Sequence, residues 1–496
     1  MENSYNYDSI EDELRGGYEY LKYFAGIENG LKFFFDSNFT PIEGQEAFLS
    51  DLVDFLENHI SVSNKANNKQ NIALISDTHD DFVSLVSSIL EANVATINKN
   101  DYSYYSVVNI DIQQYNQNKF EDDLEIIKCN RDTAIEYEKN GRSIIVVPRP
   151  IIAEKLPMDL YHLGDIIDRG FISDSFLSLL FLRDLCDSYI ETFKYNPIHL
   201  TFGNHESQVL MDSLIINCEY NTNKFANLSD KVKRILGLGF GAYHYMEEIY
   251  REKLCKITKG LFEKGYISTG YIEKFDNKPV ALWHSCLNEE HKNNFITLLD
   301  FLQDNKDFWN CFSELKYKYH CFKDIDFDYL IKKIKNNISS AQNDFQLNDL
   351  EFMLLKIATG NFIMKSRFEM ISDMYSCNSL NIKIKNRGEK INLVFWGDPD
   401  EDKICAVNQI IGHKANNGRF EIYQFYSGNN EQSKDVLDID IARSCFYDIY
   451  KNTSRISTVF LDKSLNFHEA IKHTQCIKST TSTDALKMLL SVQFLQ

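Results

Sequence analysis

The chain has 496 residues and a formal net charge of −19 at pH 7; hydrophobic residues make up 44 % of it and charged residues 25 %. This composition is typical of a globular protein with a sizeable core, and it excludes a largely disordered chain. The acidity argues against a nucleic-acid partner, because nucleic-acid binders usually present a basic surface. The 11 cysteines include no C-x-x-C pair, so we expect reduced thiols in a cytoplasmic compartment and no structural zinc.

The first residues, MENSYNYDSIEDELRGG, are acidic and polar, which is unlike a secretory signal. No stretch reaches the roughly eighteen apolar residues of a membrane span, so we expect no transmembrane segment. Residues 1–70 are predicted to form an N-terminal helical segment, because YEYLKYFAGIENGLKFFF and EAFLSDLVDFLENHI carry apolar residues at helical spacing.

The next part of the chain, residues 71–449, is predicted to be one catalytic domain in which a pattern recurs six times. A short apolar run ends in a cluster of Asp, His, Asn or Gly: NIALISDTHDD, DLYHLGDIIDRG, IHLTFGNHE, PVALWHSC, INLVFWGDPD and VNQIIGHKANN. Such runs predict buried strands, and two of them precede helical patterns, FVSLVSSILEA and SFLSLLFLRDL. Alternating strands and helices predict an α/β fold with its chemistry beyond the carboxyl ends of the strands.

Uneven spacers separate the six runs, and they predict insertions at about 93–157, 207–278 and 288–390. The first insertion contains strand-like pieces, whereas the other two are helical in pattern. RFEIYQFY and VLDIDIA are predicted to be two closing strands. Residues 450–496 are predicted to be a helical or loosely ordered tail, whose stretch DALKMLLSVQFLQ is expected to pack on the core, with peripheral membrane or partner docking as the alternative.

The polar clusters supply a set of oxygen and imidazole donors without thiolates: Asp77, His79, Asp165, Asn204, His284 and His413. Such donors suit two divalent ions, either Mn²⁺, Fe or Zn²⁺. Asp77 and His79 are expected to hold one ion, Asp165 to bridge to a second, and the other three to complete the second site. Two ions about 3.5–4 Å apart form a clamp for in-line displacement at phosphorus.

Three further residues are candidates for catalysis. His205 could protonate the leaving oxygen as general acid, and Asp168 would orient it through a ring nitrogen. Arg169 offers a planar fork to phosphate oxygens. His162, His199 and His244 have no comparable support and are expected to be structural.

The motifs D-T-H, GDIIDRG, GNHE, W-H-S, WGDPD and I-G-H stand in the order seen in calcineurin-like metallophosphoesterases. Within these, the chain resembles the phosphoprotein phosphatase family of serine/threonine phosphatases. The resemblance implies a two-sheet β-sandwich flanked by helices, here with large helical insertions, and a dinuclear site, most readily of Mn²⁺. It also implies hydrolysis of phosphomonoesters on a phosphorylated protein by direct attack of a metal-bridging hydroxide.

The chain departs from that family at several positions. Asp80 stands where the family usually has Gly, and no Arg lies between WGDPD and His413, so Arg387 is nominated as the second phosphate-binding residue, with Lys403 as a poorer candidate. The insertions resemble those of some secreted bacterial effector phosphatases, for which the cytoplasm would be that of a host. Asp398 is expected to be structural.

Two alternatives stay open at this point. Related cores cleave dinucleoside polyphosphates or small phosphodiesters. The departures are also compatible with a catalytically weak pseudo-phosphatase that acts as a binding module. A choice among phosphoserine, phosphothreonine and phosphotyrosine does not follow from the sequence.

Overall fold

The computed structural model describes residues 41–59, 71–79, 82–107, 126–167, 172–207, 248–287, 306–319, 325–339, 347–372, 406–413, 421–425, 434–440 and 456–479. Its helices are α1 (Ile42–His59), α2 (Phe82–Glu91), α3 (Arg131–Lys139), α4 (Ile172–Phe193), α5 (Glu248–Glu263), α6 (Lys306–Lys318), α7 (Phe327–Ser339), α8 (Asp349–Ser372) and α9 (Phe467–Lys472). Its strands are β1 (Ile72–Ile75), β2 (Ala95–Val107), β3 (Ile126–Cys129), β4 (Ser143–Ile152), β5 (Asp159–His162), β6 (Ile198–Thr201), β7 (Ile267–Ser268), β8 (Gly270–Phe275), β9 (Lys278–Trp283), β10 (Gln409–Ile411), β11 (Glu421–Phe425), β12 (Lys434–Asp438), β13 (Ile456–Leu461) and β14 (Gln475–Ser479).

Two sheets form a β-sandwich. The first has the strand order β14-β13-β1-β5-β6-β7, in which β1, β5, β6 and β7 run parallel. The second has the order β11-β12-β10-β9-β8, in which β9, β10 and β12 run parallel. Apolar side chains of both sheets, including Leu74, Leu282 and Ile410, pack into one buried cluster between them. Short strands such as β1, IALI, are buried at every position because both faces of the sheet are covered.

Helices cover the outer faces of the sandwich. Helix α2 follows β1, and the aromatic rings of Phe82 and Phe181 bring it against α4 with centroids 5.7 Å apart. Helices α6, α7 and α8 lie in the range predicted as the helical insertion 288–390, and α8 packs against β7, β8 and β9. The predicted architecture, an α/β sandwich flanked by helices, is therefore confirmed.

The predicted insertion at 93–157 forms a third, antiparallel sheet with the order β3-β2-β4. The N-terminal helix α1 packs on this sheet, where buried Gln45 donates to Ile144 O at 2.8 Å and accepts from Val146 N at 3.0 Å. Helix α3 starts at an Asn130 cap, whose side chain accepts from Thr133 N. Of the predicted segment 1–70, the described part, 41–59, is thus a helix docked on this sheet.

Two predicted boundaries differ from the structure. The range 207–278 contains β7 and β8, which are edge strands of the two core sheets rather than part of an insertion. The range 450–496 was predicted to be helical or loosely ordered, but β13 pairs with β1 and β14 pairs with β13, both antiparallel. For β13 the physical reason is that its partner, β1, lies nearly four hundred positions away, so that the pairing leaves little local signal in the sequence. In the part of the chain that the structure describes, no helix combines the length and apolarity needed to cross a bilayer.

Candidate metal centre

Four of the predicted ligands have a backbone conformation that side-chain-bearing residues rarely adopt. Asp77, His79, Asp165 and His413 have φ angles of 52°, 44°, 52° and 79°. Residues other than glycine pay a conformational cost in this left-handed region, and such positions concentrate at functional sites. Each of the four follows the carboxyl end of a strand, β1, β5 or β10. The turns therefore direct side chains from different strands toward one place.

The strand-end segments are joined by backbone hydrogen bonds. Asp77 N donates to Gly164 O at 3.0 Å and His79 N donates to Asp165 O at 2.9 Å. Farther along, His413 N donates to Asp77 Oδ2 at 3.2 Å. The first two bonds join segments of the first sheet, and the bond from His413 connects the two sheets at their carboxyl ends, because β10 belongs to the second sheet.

Close backbone approach explains three glycines. A Cβ on Gly412 would clash with Ser76 Oγ and Asp77 Oδ2, and a Cβ on Gly203 would clash with the Asp165 carboxylate. Gly164 has a φ of +86°, and a Cβ there would lie 2.7 Å from Gly203 Cα. The carboxylates can occupy their positions only because these three residues lack side chains.

One group of donor atoms contains His79, Asp165 and His205, all within 4.8 Å of one another. His79 Nε2 and His205 Nε2 each lie 3.7 Å from Asp165 Oδ2, and His79 Nε2 lies 3.8 Å from Asp77 Oδ1. All four residues are buried. His205, predicted as general acid rather than ligand, therefore lies directly beside the predicted first metal position.

A second group contains Asp165, His284 and His413, again within 4.8 Å. His284 Nε2 lies 3.4 Å from Asp165 Oδ2, 2.7 Å from Asn204 Oδ1 and 3.0 Å from His413 Nδ1. His413 Nδ1 lies 3.0 Å from Asn204 Oδ1. Asp165 is shared by both groups, as expected for a residue between two ions.

The helical turn at 204–207 explains why neighbouring residues serve different groups. Successive side chains on a helix diverge by about 100°, so Asn204 faces the second group while His205 faces the first. His205 N also donates to Asp165 Oδ1 at 3.1 Å, which ties this turn to the shared carboxylate.

The geometry of the second group fits a divalent ion, whereas the separations in the first group, 3.7–3.8 Å, are wider. Ligand atoms about 2.1 Å from one ion lie about 3.0–3.4 Å from each other in octahedral or tetrahedral arrangements. The separations in the second group, 2.7–3.4 Å, lie around this range. Asp77 Oδ1 is buried with no hydrogen-bond partner among the described residues, which is costly for a carboxylate unless a cation binds it. His284 Nδ1 lies 2.8 Å from Leu163 O, a contact that leaves the Nε2 lone pair directed at the group.

The pKa values of Asp165, Asp77 and His284 are shifted by burial and by neighbouring charges. Burial would raise the pKa of Asp165, but the attraction of His284 and His205 holds it well below its usual value. Burial raises the pKa of Asp77, and the negative charge of Asp440 raises it further. Burial would lower the pKa of His284, yet the Asp165 charge raises it to about 9. In the absence of an ion, protons thus balance the carboxylates that an ion would otherwise neutralise.

Glu206 was given no role in the sequence analysis, although it belongs to the GNHE motif. Its carboxylate accepts backbone N–H groups from Asp165 (3.1 Å), Ile166 (2.7 Å), Ile167 (3.1 Å) and Gly203 (2.7 Å). Burial and the Asp165 charge raise the pKa of Glu206 to about 7, and the N–H groups of Ile167 and Gly203 offset part of this rise. The Glu206 side chain therefore fixes the turn that carries Asp165 against the turn that carries His205.

Asp440 is the second residue that sequence reasoning missed. It follows the carboxyl end of β12, it is 2 % exposed, and its N donates to Asp438 Oδ1 at 3.0 Å. The signal was present in VLDIDIA, since an aspartate directly after a buried strand resembles the other five described strand ends. Asp168, Arg169 and Arg387 lie outside the described residues, as do Asp80, Asp398 and Lys403, so their predicted roles stay predictions.

A comparison with known families agrees with this geometry. The family model "Calcineurin-like phosphoesterase" matches residues 70–314, a range that includes every described candidate ligand except His413. Neither a curated protein nor a solved structure matches the chain. The matched range contains β1, β5, β6 and β9, whose carboxyl ends carry the donor groups. Residues 70–314 of this chain are therefore similar to the calcineurin-like phosphoesterase family.

Proposed function

We propose that this protein is a metal-dependent phosphoprotein phosphatase that hydrolyses phosphomonoesters through two divalent ions, most readily Mn²⁺. The observation that carries the proposal is the convergence of two donor groups on one shared carboxylate, Asp165, at the carboxyl ends of a β-sandwich. His79 and Asp77 would hold one ion, and Asn204, His284 and His413 the other.

Bound there, the ions would neutralise phosphate oxygens and lower the pKa of a coordinated water. The chain's own residues supply the remaining functions. Asp165 would keep the two ion positions at a fixed separation, and Glu206 would hold the Asp165 turn through four backbone N–H groups. Hydrolysis is proposed to proceed in one step, without a phosphoenzyme.

His205 is proposed to donate a proton to the departing oxygen. Its Nε2 is buried beside Asp165, and its backbone is tied to that carboxylate, so the ring is held at the edge of the first donor group. General acids contribute most when the leaving oxygen is a strong base. Asp168 and Arg169 are proposed, from the GDIIDRG motif, to orient His205 and to bind phosphate oxygens; Arg387 is the proposed second phosphate contact.

Support for a phosphoprotein substrate comes from the GDIIDRG and GNHE motifs, which are characteristic of phosphoprotein phosphatases. A dinucleoside polyphosphate would meet the same donor groups. Turnover of a phosphopeptide panel and of diadenosine tetraphosphate, with and without Mn²⁺, separates these substrates. Turnover of the nucleotide alone would contradict the phosphoprotein assignment.

A leaving-group comparison tests His205. We expect His205→Asn to slow phosphoserine peptide hydrolysis by about 100-fold or more and para-nitrophenyl phosphate hydrolysis much less, because nitrophenolate departs without a proton. The control is His468→Asn. In wild type the His468 imidazole lies 2.9 Å from the Asp435 carboxylate and belongs to neither donor group. Equal losses on both substrates would contradict a general-acid role.

A further inference from the structure

Gln409 is a fully buried residue on β10, the strand that leads to His413. Its amide oxygen accepts from Trp283 Nε1 at 2.7 Å and from Leu287 N at 3.0 Å. Its amide nitrogen donates to Leu287 O at 2.9 Å and contacts Cys286 Sγ at 3.6 Å. One side chain thus contacts the 283–287 segment on both sides of His284.

These contacts begin where the backbone pairing of β9 and β10 ends. The register pairs Gln409 with Ala281 and Ile410 with Leu282, and the chain leaves the sheet after Trp283, the last residue of β9. Beyond this point the backbone bonds to the strand are Gly412 N to His284 O at 2.9 Å and Ala406 N to Leu287 O at 3.2 Å. Between these two backbone bonds, the hydrogen bonds of the Gln409 amide connect the 283–287 segment to β10.

The segment that Gln409 contacts directly precedes residues 288–405. The two residues that flank this range are joined by the hydrogen bond from Ala406 N to Leu287 O. Helix α8 from this range places Lys356 Nζ 3.8 Å from the centroid of the Trp283 ring. The side chain of Trp283 therefore contacts the insertion on its ring face and Gln409 at its indole nitrogen.

We infer that Gln409 is a positioning residue for the second ion of the proposed metal centre, holding His284 and His413 at the separation that one ion requires. The inference rests on the proposed metal centre but not on the identity of the substrate. Gln409 precedes His413 by four residues and belongs to neither donor group. Its effect would be to keep His284 Nε2 and His413 Nδ1 at 3.0 Å, with their rings at 78°.

The chain offers a matched control in Gln45, which is 5 % exposed. Its amide likewise accepts from one backbone N–H and donates to one backbone carbonyl, both on β4 in the third sheet. Gln45→Met and Gln409→Met remove the same chemistry from a buried site and add an unbranched side chain of similar size. Only the second substitution changes a segment that carries candidate ligands.

Titration of metal-free protein with Co²⁺, followed by visible absorption and thermal unfolding, tests the inference. We expect wild type and Gln45→Met to bind two ions, whereas Gln409→Met weakens one of the two by about 10–100-fold and alters its absorption band. Gln409→Glu keeps both accepted hydrogen bonds, so its Co²⁺ affinity should lie between those of wild type and Gln409→Met. Wild-type affinity and spectrum in folded Gln409→Met would overturn the inference, as would a wild type that binds fewer than two ions.

Substrate turnover is measured separately, so the two proposals can fail independently. Wild type that binds two Co²⁺ ions but hydrolyses no phosphoester would contradict the proposed function. The Gln409→Met titration would still decide the role of this side chain. Equal weakening in Gln45→Met and Gln409→Met would assign both residues to general stability and overturn the positioning role.

Discussion

The two ends of the β-sandwich both carry clusters of titratable side chains, but the clusters differ in how their charges are matched. At the amino ends of β5 and β6, Asp159 accepts from Tyr195 at 2.6 Å and lies 3.4 Å from His199. Lys463 there lies 3.5 Å from Asp159 and donates to Glu273 at 2.9 Å. The carboxylates are thus matched by proton donors of the protein itself.

At the carboxyl ends the acceptors face one another instead. His284 Nε2, His413 Nδ1, Asn204 Oδ1 and Asp165 Oδ2 are mutual neighbours, and Asp77 Oδ1 has no hydrogen-bond partner among the described residues. A buried cluster of lone pairs is favourable only when a cation or protons occupy its centre. Polar residues at strand ends therefore indicate an ion site only when the protein's own donors do not satisfy them.

The largest expected effect comes from removing the shared carboxylate. Asp165→Asn should lower phosphoester turnover by about 1,000-fold, roughly 4 kcal/mol of transition-state stabilisation, and reduce bound Mn²⁺ below two per chain. Steady-state kinetics and elemental analysis measure the two quantities. The control is Asp184→Asn. Asp184 is also buried, and its carboxylate accepts from Lys128 at 2.6 Å, so this variant should retain wild-type turnover and bound Mn²⁺. Full activity in Asp165→Asn would remove the distinction between the two ends.

Metal addition should stabilise the carboxyl end. Saturation with Mn²⁺ at about 100 times its Kd contributes about 2.7 kcal/mol to the free energy of unfolding per site. Thermal unfolding with Mn²⁺ and with a chelator measures the effect. His284→Gln should reduce the stabilisation, because it removes a donor from the second group. An unfolding temperature that is independent of Mn²⁺ in wild type would contradict an ion site here.

Lys356 is a buried lysine on α8, and its ammonium group lies over the ring of Trp283. It is 1 % exposed, and burial lowers its pKa to about 7. The unfolded chain, with the ordinary Lys pKa of 10.5, binds the extra proton between about pH 7 and 10.5, so stability should rise with pH across that window. The slope is at most about 1.4 kcal/mol per pH unit. Lys356→Met should reduce the slope in urea unfolding; an unchanged slope would show that this lysine stays charged.

The smallest effect is expected at the amino end. Lys463→Met breaks a partly buried ion pair, so it should cost about 1 kcal/mol of stability and leave Mn²⁺ affinity and turnover unchanged. Urea unfolding and metal titration give the two values. A loss of Mn²⁺ affinity in this variant would mean that the two ends are coupled through the sandwich.

The local part of the fold was predictable from the sequence. Five of the six apolar runs with polar ends are strands β1, β5, β6, β9 and β10, and the sixth, 391–400, lies outside the described residues. The periodicity after β1 likewise predicted α2. Strand β13 was missed because its antiparallel pairing with β1 depends on a distant partner and leaves only a short β-branched run, ISTVFL, in the sequence. Among the described strands, β14 in turn pairs only with β13, at the edge of the sheet.

The candidate site was predictable where side chains follow buried strands. The positions of Asp77 and His284 could be expected from their strand ends, whereas the role of Glu206 could not, because its four N–H donors come from two separate turns. The contact between Gln409 and the 283–287 segment was equally hidden, since it spans 122 positions. Polar residues that act through the backbone of another segment have no periodic signal in the sequence.

Anomalous diffraction from crystals grown with Mn²⁺, recorded at the manganese absorption edge, would locate the ions at the carboxyl ends of the strands. We expect two peaks about 3.5–4 Å apart, bridged by Asp165, with one peak beside His79 and the other beside His284 and His413. Absence of anomalous signal at the carboxyl ends of β1, β5 and β10, or peaks among Asp159, His199 and Glu273 instead, would contradict the account.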